Sequence, residues 1–382
     1  MIYLDNCATT KPREEVVDVM IQALKEDFAN PSSLHSLGFS AEKKVEESRK
    51  NIAKLINAAP DELYFTSGGT ESNNIALHGL IKKNKRLGNK IITTKIEHAS
   101  VIDQLRSYKE KGFDIVEIPV DRYGNLNTEE LYNEIDGKTI VLSLFHVNNE
   151  VGSINDIENI IKKVKSINKN VLIHVDGVQA FGKIPVDVKT LGCDTYSMSG
   201  HKIYGPKGIG VLYLKNSLKI SSLVIGGGQE SGLRSGTENV PGILGLGKAC
   251  EITYKEFNKE YEHAQKIKKY LIEKINEKFG DYEFNSTDYS SPYIVSVSFK
   301  DVRAEVLLHF LEQDEIYIST ASACTSNGTH KSHVLEAIGI NEKLSEGTIR
   351  ICISKDIDEE QIDEFIKALE KYVSEIREIM KR

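Results

Sequence analysis

Across its first two thirds the chain alternates short, β-rich apolar runs with longer helical patterns. That alternation constrains the fold more than any other feature. Strands are predicted at residues 63–66, 90–94, 114–118, 139–144, 171–175, 195–198 and 210–214, with helical stretches at 71–87, 99–111, 129–135 and 156–167 between several of them. Parallel strands need long crossovers, and helices supply them. The pattern therefore predicts a largely parallel α/β sheet with ligands bound at the strand C-terminal ends. Beyond it, residues 241–279 read as one long charged helix. Residues 294–299, 304–311, 316–319, 348–354 and 358–380 suggest a smaller α+β unit. At roughly 150 residues per domain, 382 residues leave room for two or three domains.

The composition excludes several functions. Hydrophobic and charged fractions of 40% and 27% are those of an ordinary globular protein, and a net charge of −7 argues against a general nucleic-acid or anionic-membrane binder. No apolar run is long enough to span a bilayer, and Met1-Ile2-Tyr3-Leu4-Asp5 has no secretory pattern. Cys7, Cys193, Cys250, Cys324 and Cys352 are dispersed with no C-x-x-C pair, which fits reduced thiols in the cytoplasm.

Three short segments carry chemistry. Lys202 ends the run Ser199-Gly200-His201-Lys202, and its amine can form a Schiff base and then move a proton at a substrate α-carbon. Asp176 follows a predicted strand in His174-Val175-Asp176-Gly177-Val178-Gln179. In isolation it reads as a turn or capping carboxylate; functionally it can keep a pyridine nitrogen protonated. Gln179 could hydrogen-bond a ring oxygen. The turn Thr66-Ser67-Gly68-Gly69-Thr70-Glu71 stands between strand and helix, where free N–H groups face an anion and Thr70 can cap the helix or donate its hydroxyl. Ser199 and His201 could reach the same anion. An amine, a carboxylate and an anion nest are the parts of a pyridoxal phosphate site.

Other residues are weaker signals. His98 opens a helix after a strand, where a histidine is more often structural, yet its ring could stack on a flat cofactor. His174 points to the same strand face as Asp176 and reads as structural. No histidine pair has the short separation of a zinc site. Gly242-Ile243-Leu244-Gly245-Leu246-Gly247-Lys248 has the spacing of a nucleotide-binding loop. Ala249 lacks the hydroxyl for magnesium, however, and Pro241 suits a helix start, so the glycines read as close helix packing. Cys324 lies in a small-residue stretch, 319–328, that fits a mobile loop, with His330, Lys331 and His333 near enough to favour its thiolate.

Together these residues resemble the class V pyridoxal-phosphate enzymes, specifically the cysteine desulfurases of the NifS/IscS type. The resemblance runs from Tyr3-Leu4-Asp5-Asn6-Cys7-Ala8-Thr9-Thr10 through Asn30-Pro31-Ser32-Ser33-Leu34-His35, the Gly68 turn, Asn148-Asn149-Glu150-Val151-Gly152 and Ser199-Gly200-His201-Lys202. It continues through Gly226-Gly227-Gly228-Gln229-Glu230 and Arg234-Ser235-Gly236-Thr237 to Ser322-Ala323-Cys324-Thr325-Ser326.

That resemblance implies a type I pyridoxal-phosphate transferase fold. A large domain (15–255) would hold a mainly parallel seven-stranded sheet, and a small α+β domain (1–14 and 256–382) would carry the cysteine loop. It implies that Lys202 bonds the cofactor, Asp176 pairs with its ring nitrogen, and His98 stacks on it and assists proton transfer. Gly69, Thr70, Ser199, Gly200 and His201 would bind phosphate, and Gln179 the ring oxygen. Thr237 would reach the neighbouring subunit's phosphate, hence a homodimer. Asn149 and Arg350 would clamp the carboxylate of L-cysteine. Cys324 would take its sulfur as a persulfide, with transient iron–sulfur ligation as a further option and no resident metal. The expected reaction is L-cysteine to L-alanine in the cytoplasm, with sulfur passed to an iron–sulfur scaffold or a tRNA-thiolation protein. No direct contact with nucleic acid or membrane is expected.

The rivals are a selenocysteine lyase or another class V aminotransferase, and more distantly a non-catalytic carrier. Three departures stand out: Gly69 where alanine is common, a change expected only to loosen the backbone; Cys7 at a variable position; and Ser231 where arginine often follows Gln-Glu. The length from Cys324 to His333 resembles the long-loop, scaffold-serving type.

Overall fold

A computed structural model of the chain describes residues 1–320 and 332–380. Its centre is a seven-stranded sheet in the order Leu63–Thr66, Gly210–Leu214, Thr195–Ser199, Leu172–Asp176, Thr139–Phe145, Lys90–Thr94, Asp114–Ile118. Six strands run parallel. Gly210–Leu214 is antiparallel to both its neighbours, so the sheet is mainly but not wholly parallel. Strand ends depart from the sequence expectation by at most one residue; Leu172–Asp176, for example, begins and ends one later, which puts Asp176 inside the sheet between Phe145 and Ser197.

The crossovers are amphipathic helices. Ile157–Ile167 buries Ile157, Ile160, Ile161 and Val164, one stripe at helical spacing, and Asp156 caps it by accepting from the Asn159 N–H. Each such side chain contributes about 1.5–3 kcal/mol through burial. The N-terminal helices Glu14–Glu26 and Ser36–Leu55 pack on the long helix Val240–Lys278. Side chains at Gly245 and Gly247 would strike Met20 (2.8 Å) and Ser48 (2.5 Å). Those glycines serve helix packing, as expected.

Val240–Lys278 is about 58 Å long and joins two cores. Its first half lies under the large sheet, and its second half contributes Ala264, Ile267, Leu271 and Ile275 to a separate core. That second core backs an antiparallel four-stranded sheet ordered Ser319–Thr320, Thr348–Cys352, Ile294–Phe299, Tyr282–Phe284. The N-terminus belongs here too, because Ile2–Tyr3 pairs with Ile316–Tyr317. The strand Tyr282–Phe284 was not predicted; three residues are too few to show alternation.

Candidate active site

The C-terminal ends of the central strands open onto a cavity of about 280 Å³. Gly69, Thr70, His98, Asn149, Asp176, Gln179, Ser199, His201, Lys202 and Arg350 all line it, although they come from segments far apart in sequence. Gly200 is buried just behind the lining. Thr237 is exposed and lies outside the cavity of its own chain. Cys324, His330 and Lys331 lie outside the described residues.

Asp176 makes the turn contact considered for it and also lines the cavity. Its Oδ1 accepts from the Val178 N–H at 3.0 Å, a turn contact, while Oδ2 accepts from Asn73 Nδ2 at 2.8 Å. Asn73 also donates to Ser100 Oγ at 2.9 Å, and its Oδ1 faces His174 Nε2 at 3.0 Å. Burial, outweighing the opposing pull of the Asp176 charge, drives the His174 pKa down to about 4, so the ring is neutral, and Nε2–H donates to Asn73 while Nδ1 accepts from Thr195 Oγ1. His174 is therefore structural, but what it structures is the amide that holds Asp176.

His98 caps the helix Ala99–Lys109: its Nδ1 accepts from the Ser100 N–H at 3.1 Å and lies 2.8 Å from Ser100 Oγ. Burial lowers its pKa. The neutral ring accepts through Nδ1, which leaves Nε2 as the protonated nitrogen.

Lys202 lies at the end of a short 3₁₀ turn, Gly200–Lys202, after the strand Thr195–Ser199. Its Nζ donates to the carbonyls of Cys7 and Ala8 (2.9 Å for the latter). The N-terminal segment also clasps the lysine turn, since Thr10 donates to the His201 carbonyl from both its N–H and its hydroxyl. Gln179 Nε2 donates to the Cys7 carbonyl at 3.0 Å, while its Oε1 has no partner among the described residues. Burial, with Lys202, Lys207 and Lys183 nearby, takes the His201 pKa down to about 4.

At the glycine turn, Gly68 rather than Thr70 is the N-cap, and no side chain caps the helix Gly69–Asn84. Its first N–H groups are left for a ligand. The turn is fixed from outside by Glu71, which accepts from the Ser67 N–H and from Arg234 (3.0 Å). Gly210 lets it approach the sheet: a Cβ there would lie 2.6 Å from the Gly68 Cα. Gly69 does more than loosen the backbone, because a Cβ would lie 2.5 Å from Val178 Cγ2.

Arg350, from the strand Thr348–Cys352, is buried; Nη1 donates to the Asn149 carbonyl (2.9 Å) and Nη2 to Asp5 Oδ1 (3.0 Å). Asn148 shapes the adjoining turn, with Oδ1 accepting from the N–H groups of Glu150 and Val151. Glu150 is buried, and Ser332 Oγ donates to its Oε2 at 2.5 Å. His333 is committed to the Glu97 carbonyl at 2.9 Å. Sequence reading missed Asn73, Ser100, Val178 and Glu150. Only the conjunction Ser72-Asn73-Asn74 directly after the glycine turn hinted at the first of them.

The family model for aminotransferase class-V matches residues 2–365. The chain is 40% identical over 379 residues to the cysteine desulfurase IscS of Dictyoglomus turgidum, covering 99% of this chain and 96% of that protein. It is 37% identical over 377 residues to cysteine desulfurase IscS 1 of Archaeoglobus fulgidus, covering 99% and 98%. Among solved structures, a NifS-like protein superposes with a TM-score of 0.92 at 37% identity over 98% of this chain and 99% of that one. SspA in complex with cysteine does so at 0.81 and 33% identity, covering 93% and 99%. A mainly parallel sheet, a polar cavity at its strand ends and matches along nearly the whole length lead to one assignment: the chain belongs to the class V aminotransferase family and, within it, to the cysteine desulfurases of the NifS/IscS type.

Proposed function

We propose that this cavity binds pyridoxal phosphate and converts L-cysteine to L-alanine, leaving the sulfur as a persulfide on Cys324. The observation that carries the reading is the convergence of Lys202, Asp176 and the uncapped glycine turn on one cavity. The residues present suit the cofactor. Ser199 Oγ is buried with no partner among the described residues, as expected of a donor awaiting a phosphate, and Gln179 Oε1 is similarly unsatisfied. When bound, the cofactor supplies an electron sink for the pair released at the substrate α-carbon.

The chain's own residues do the rest. Lys202 would hold the cofactor through its ε-amine and then carry the proton from the substrate α-carbon. The Asp176 carboxylate would keep the ring nitrogen protonated, and His98, lining the same cavity, would offer its Nε2–H for proton transfer. Ser199, His201, Thr70 and the N–H groups from Gly69 onward receive the phosphate. The Arg350 guanidinium, steadied by Asp5, and Asn149 hold the substrate carboxylate. Thr237, exposed and away from its own cavity, would complete the phosphate site of a second copy in a homodimer.

We further propose the division into 15–255 and the remainder, consistent with the two cores, and a cytoplasmic location, where thiols stay reduced. Sulfur would pass to an iron–sulfur scaffold or tRNA-thiolation protein. Among the described residues no helix is long and apolar enough to cross a membrane.

Intact-mass and peptide mapping after adding L-cysteine test the reading. The native enzyme is expected to release alanine and gain one sulfur on Cys324; Cys324→Ser is expected to retain the cofactor and form neither alanine nor persulfide, since a hydroxyl attacks sulfur poorly. Transamination without sulfur transfer would overturn it in favour of another class V reaction.

A further inference from the structure

The N-terminal segment reaches the cavity as a tightly fastened turn. Ile2–Tyr3 pairs with Ile316–Tyr317, and the Cys352 N–H donates to the Leu4 carbonyl at 2.7 Å, which sets the segment beside the strand Thr348–Cys352. The Asp5 carbonyl then accepts from the Ala8 N–H at 3.0 Å. Asn6 Nδ2 ties this turn down by donating to the carbonyls of Tyr3 (3.0 Å) and Cys352 (3.1 Å), and Tyr3 Oη donates to the Thr9 carbonyl at 3.0 Å. Buried Thr10 fastens the far end. Its N–H and its hydroxyl both donate to the His201 carbonyl at 2.9 Å, and the hydroxyl accepts from the Tyr204 N–H at 2.7 Å.

Buried backbone carbonyls need partners, and those of Tyr3, Leu4, Asp5 and Thr9 find them within the segment or on Cys352. The carbonyls of Cys7 and Ala8 are turned instead to Lys202, whose Nζ donates to both, at 2.9 Å to Ala8. Gln179 Nε2 steadies the Cys7 carbonyl at 3.0 Å, while the Cys7 thiol is engaged elsewhere, donating to the Tyr293 carbonyl at 3.9 Å. Two carbonyl dipoles aimed at one amine favour its charged form. The turn fixes them in advance, so the charge is met without reorganisation. Unlike a carboxylate, a carbonyl cannot take the proton away. The surrounding charges pull both ways, because Lys202 stands between the cavity and a narrow space behind it. Lys183, from the turn after Asp176, and Arg350 oppose a further cation there. Asp176 across the cavity and Glu260 of the long helix favour one, and His98 and His201 are neutral.

We propose that the Cys7 and Ala8 carbonyls are a cradle that holds Lys202 as an ammonium while it carries the substrate's α-proton. This rests on the reaction proposed for the cavity. Once the substrate amine has taken its place on the cofactor, the Lys202 amine removes the α-proton: the C–H bond breaks, an N–H bond forms, and the electron pair passes to the cofactor. The ammonium rests on the two carbonyls and returns the proton to carbon as alanine forms, which restores the neutral amine. Cys7 and Ala8 act through Lys202 and are positioning residues.

The test weakens one carbonyl while keeping its shape. An α-hydroxy acid in place of the amino acid at Thr9, installed by semisynthesis, turns the Ala8 carbonyl into an ester carbonyl, a poorer acceptor. Thr10→Val, which loses the hydroxyl that fastens the segment, is the genetic counterpart, and Thr10→Ser is its conservative rescue. The first readout needs no cofactor: acylation of the apoenzyme across pH, with Lys202 mapped by mass. Its midpoint is expected to fall by roughly one pH unit in the ester protein, an about tenfold loss of proton affinity. Thr10→Val should move it the same way and Thr10→Ser should stay near native. In the holoenzyme, exchange of the α-hydrogen of L-alanine in D₂O is expected to slow several-fold in the ester protein and in Thr10→Val, with cofactor affinity retained. An unchanged Lys202 midpoint overturns the cradle, and so does a lowered midpoint with exchange at the native rate. Native holoenzyme that exchanges no α-hydrogen, alongside a lowered midpoint in the ester protein, counts against the cofactor chemistry and upholds the carbonyls' hold on Lys202.

Discussion

Asn73 Nδ2 donates to Asp176 Oδ2 across 2.8 Å, and the same amide is held the right way round by His174. The carboxylate proposed to pair with the cofactor nitrogen is therefore oriented from the helix that starts at the glycine turn. A hydrogen bond to a charged group contributes about 1.5–3 kcal/mol. Asn73→Ala is expected to lower kcat about tenfold or more and to move the pH titration of the bound cofactor's visible absorbance. Asp176→Asn should do both more strongly, because an amide cannot keep the ring nitrogen protonated. An unchanged titration in Asn73→Ala, alongside a displaced one in Asp176→Asn, would show that the amide only fills space.

Lys202 donates to two carbonyls of the N-terminal segment and lines the same cavity as Asp176. Borohydride reduction of the holoenzyme followed by peptide mapping is expected to find the cofactor on Lys202. Lys202→Ala should abolish turnover while phosphate contacts still retain some cofactor. A label on Lys183, which is also buried near the cavity, would refute the assignment.

Glu150 gives a pH signature. Burial raises its pKa from 4.5 to about 7, against the opposing pulls of Ser332 and Arg350. A carboxyl whose pKa is higher in the folded chain binds protons more tightly there. Its stabilising effect is full below about 4.5 and is lost as pH rises toward 7. The span corresponds to on the order of 3 kcal/mol at about 1.4 kcal/mol per pH unit. Glu150→Gln should therefore gain stability relative to the native protein as pH rises through that window, read as the difference in Tm between the two. A difference that stays flat from pH 4.5 to 7 would mean Glu150 is ionised throughout.

Much of this was legible in the order of residues, for reasons that differ by element. The strands Leu63–Thr66, Lys90–Thr94 and Asp114–Ile118 fall where expected because each apolar run is bounded by turn residues. Their spatial order was not legible, since pairing depends on contacts between distant segments. Nothing local marks Gly210–Leu214 as the antiparallel member. At the site, residues whose chemistry is intrinsic, such as Lys202 and Asp176, stood out by type and position. Asn73 did not, because a polar residue in a helix's first turns reads as solvated until its buried partners are known.

Gly69 and Val178 show the same limit and provide a sharper test. From sequence, glycine in place of the commoner alanine looks like a small gain in backbone freedom. In the fold, the Cβ of an alanine would lie 2.5 Å from Val178 Cγ2, with Val178 Cγ1 and Cβ next at 3.6 and 3.7 Å. Only one methyl conflicts, so rotation or removal of that methyl relieves it. Both residues line the cavity, and the Val178 N–H is the donor to Asp176 Oδ1. Strain placed here would be passed to the carboxylate. Gly69→Ala alone is expected to weaken cofactor binding several-fold and lower Tm. Val178→Ala alone should do less. In the double variant, alanine at both positions removes the clash and should recover most of the affinity lost in Gly69→Ala, so the two effects fail to add. Cofactor affinities of the four proteins, measured by absorbance on the reconstituted apoenzymes, complete the cycle. Strict additivity would mean that Val178 is not what requires glycine at position 69.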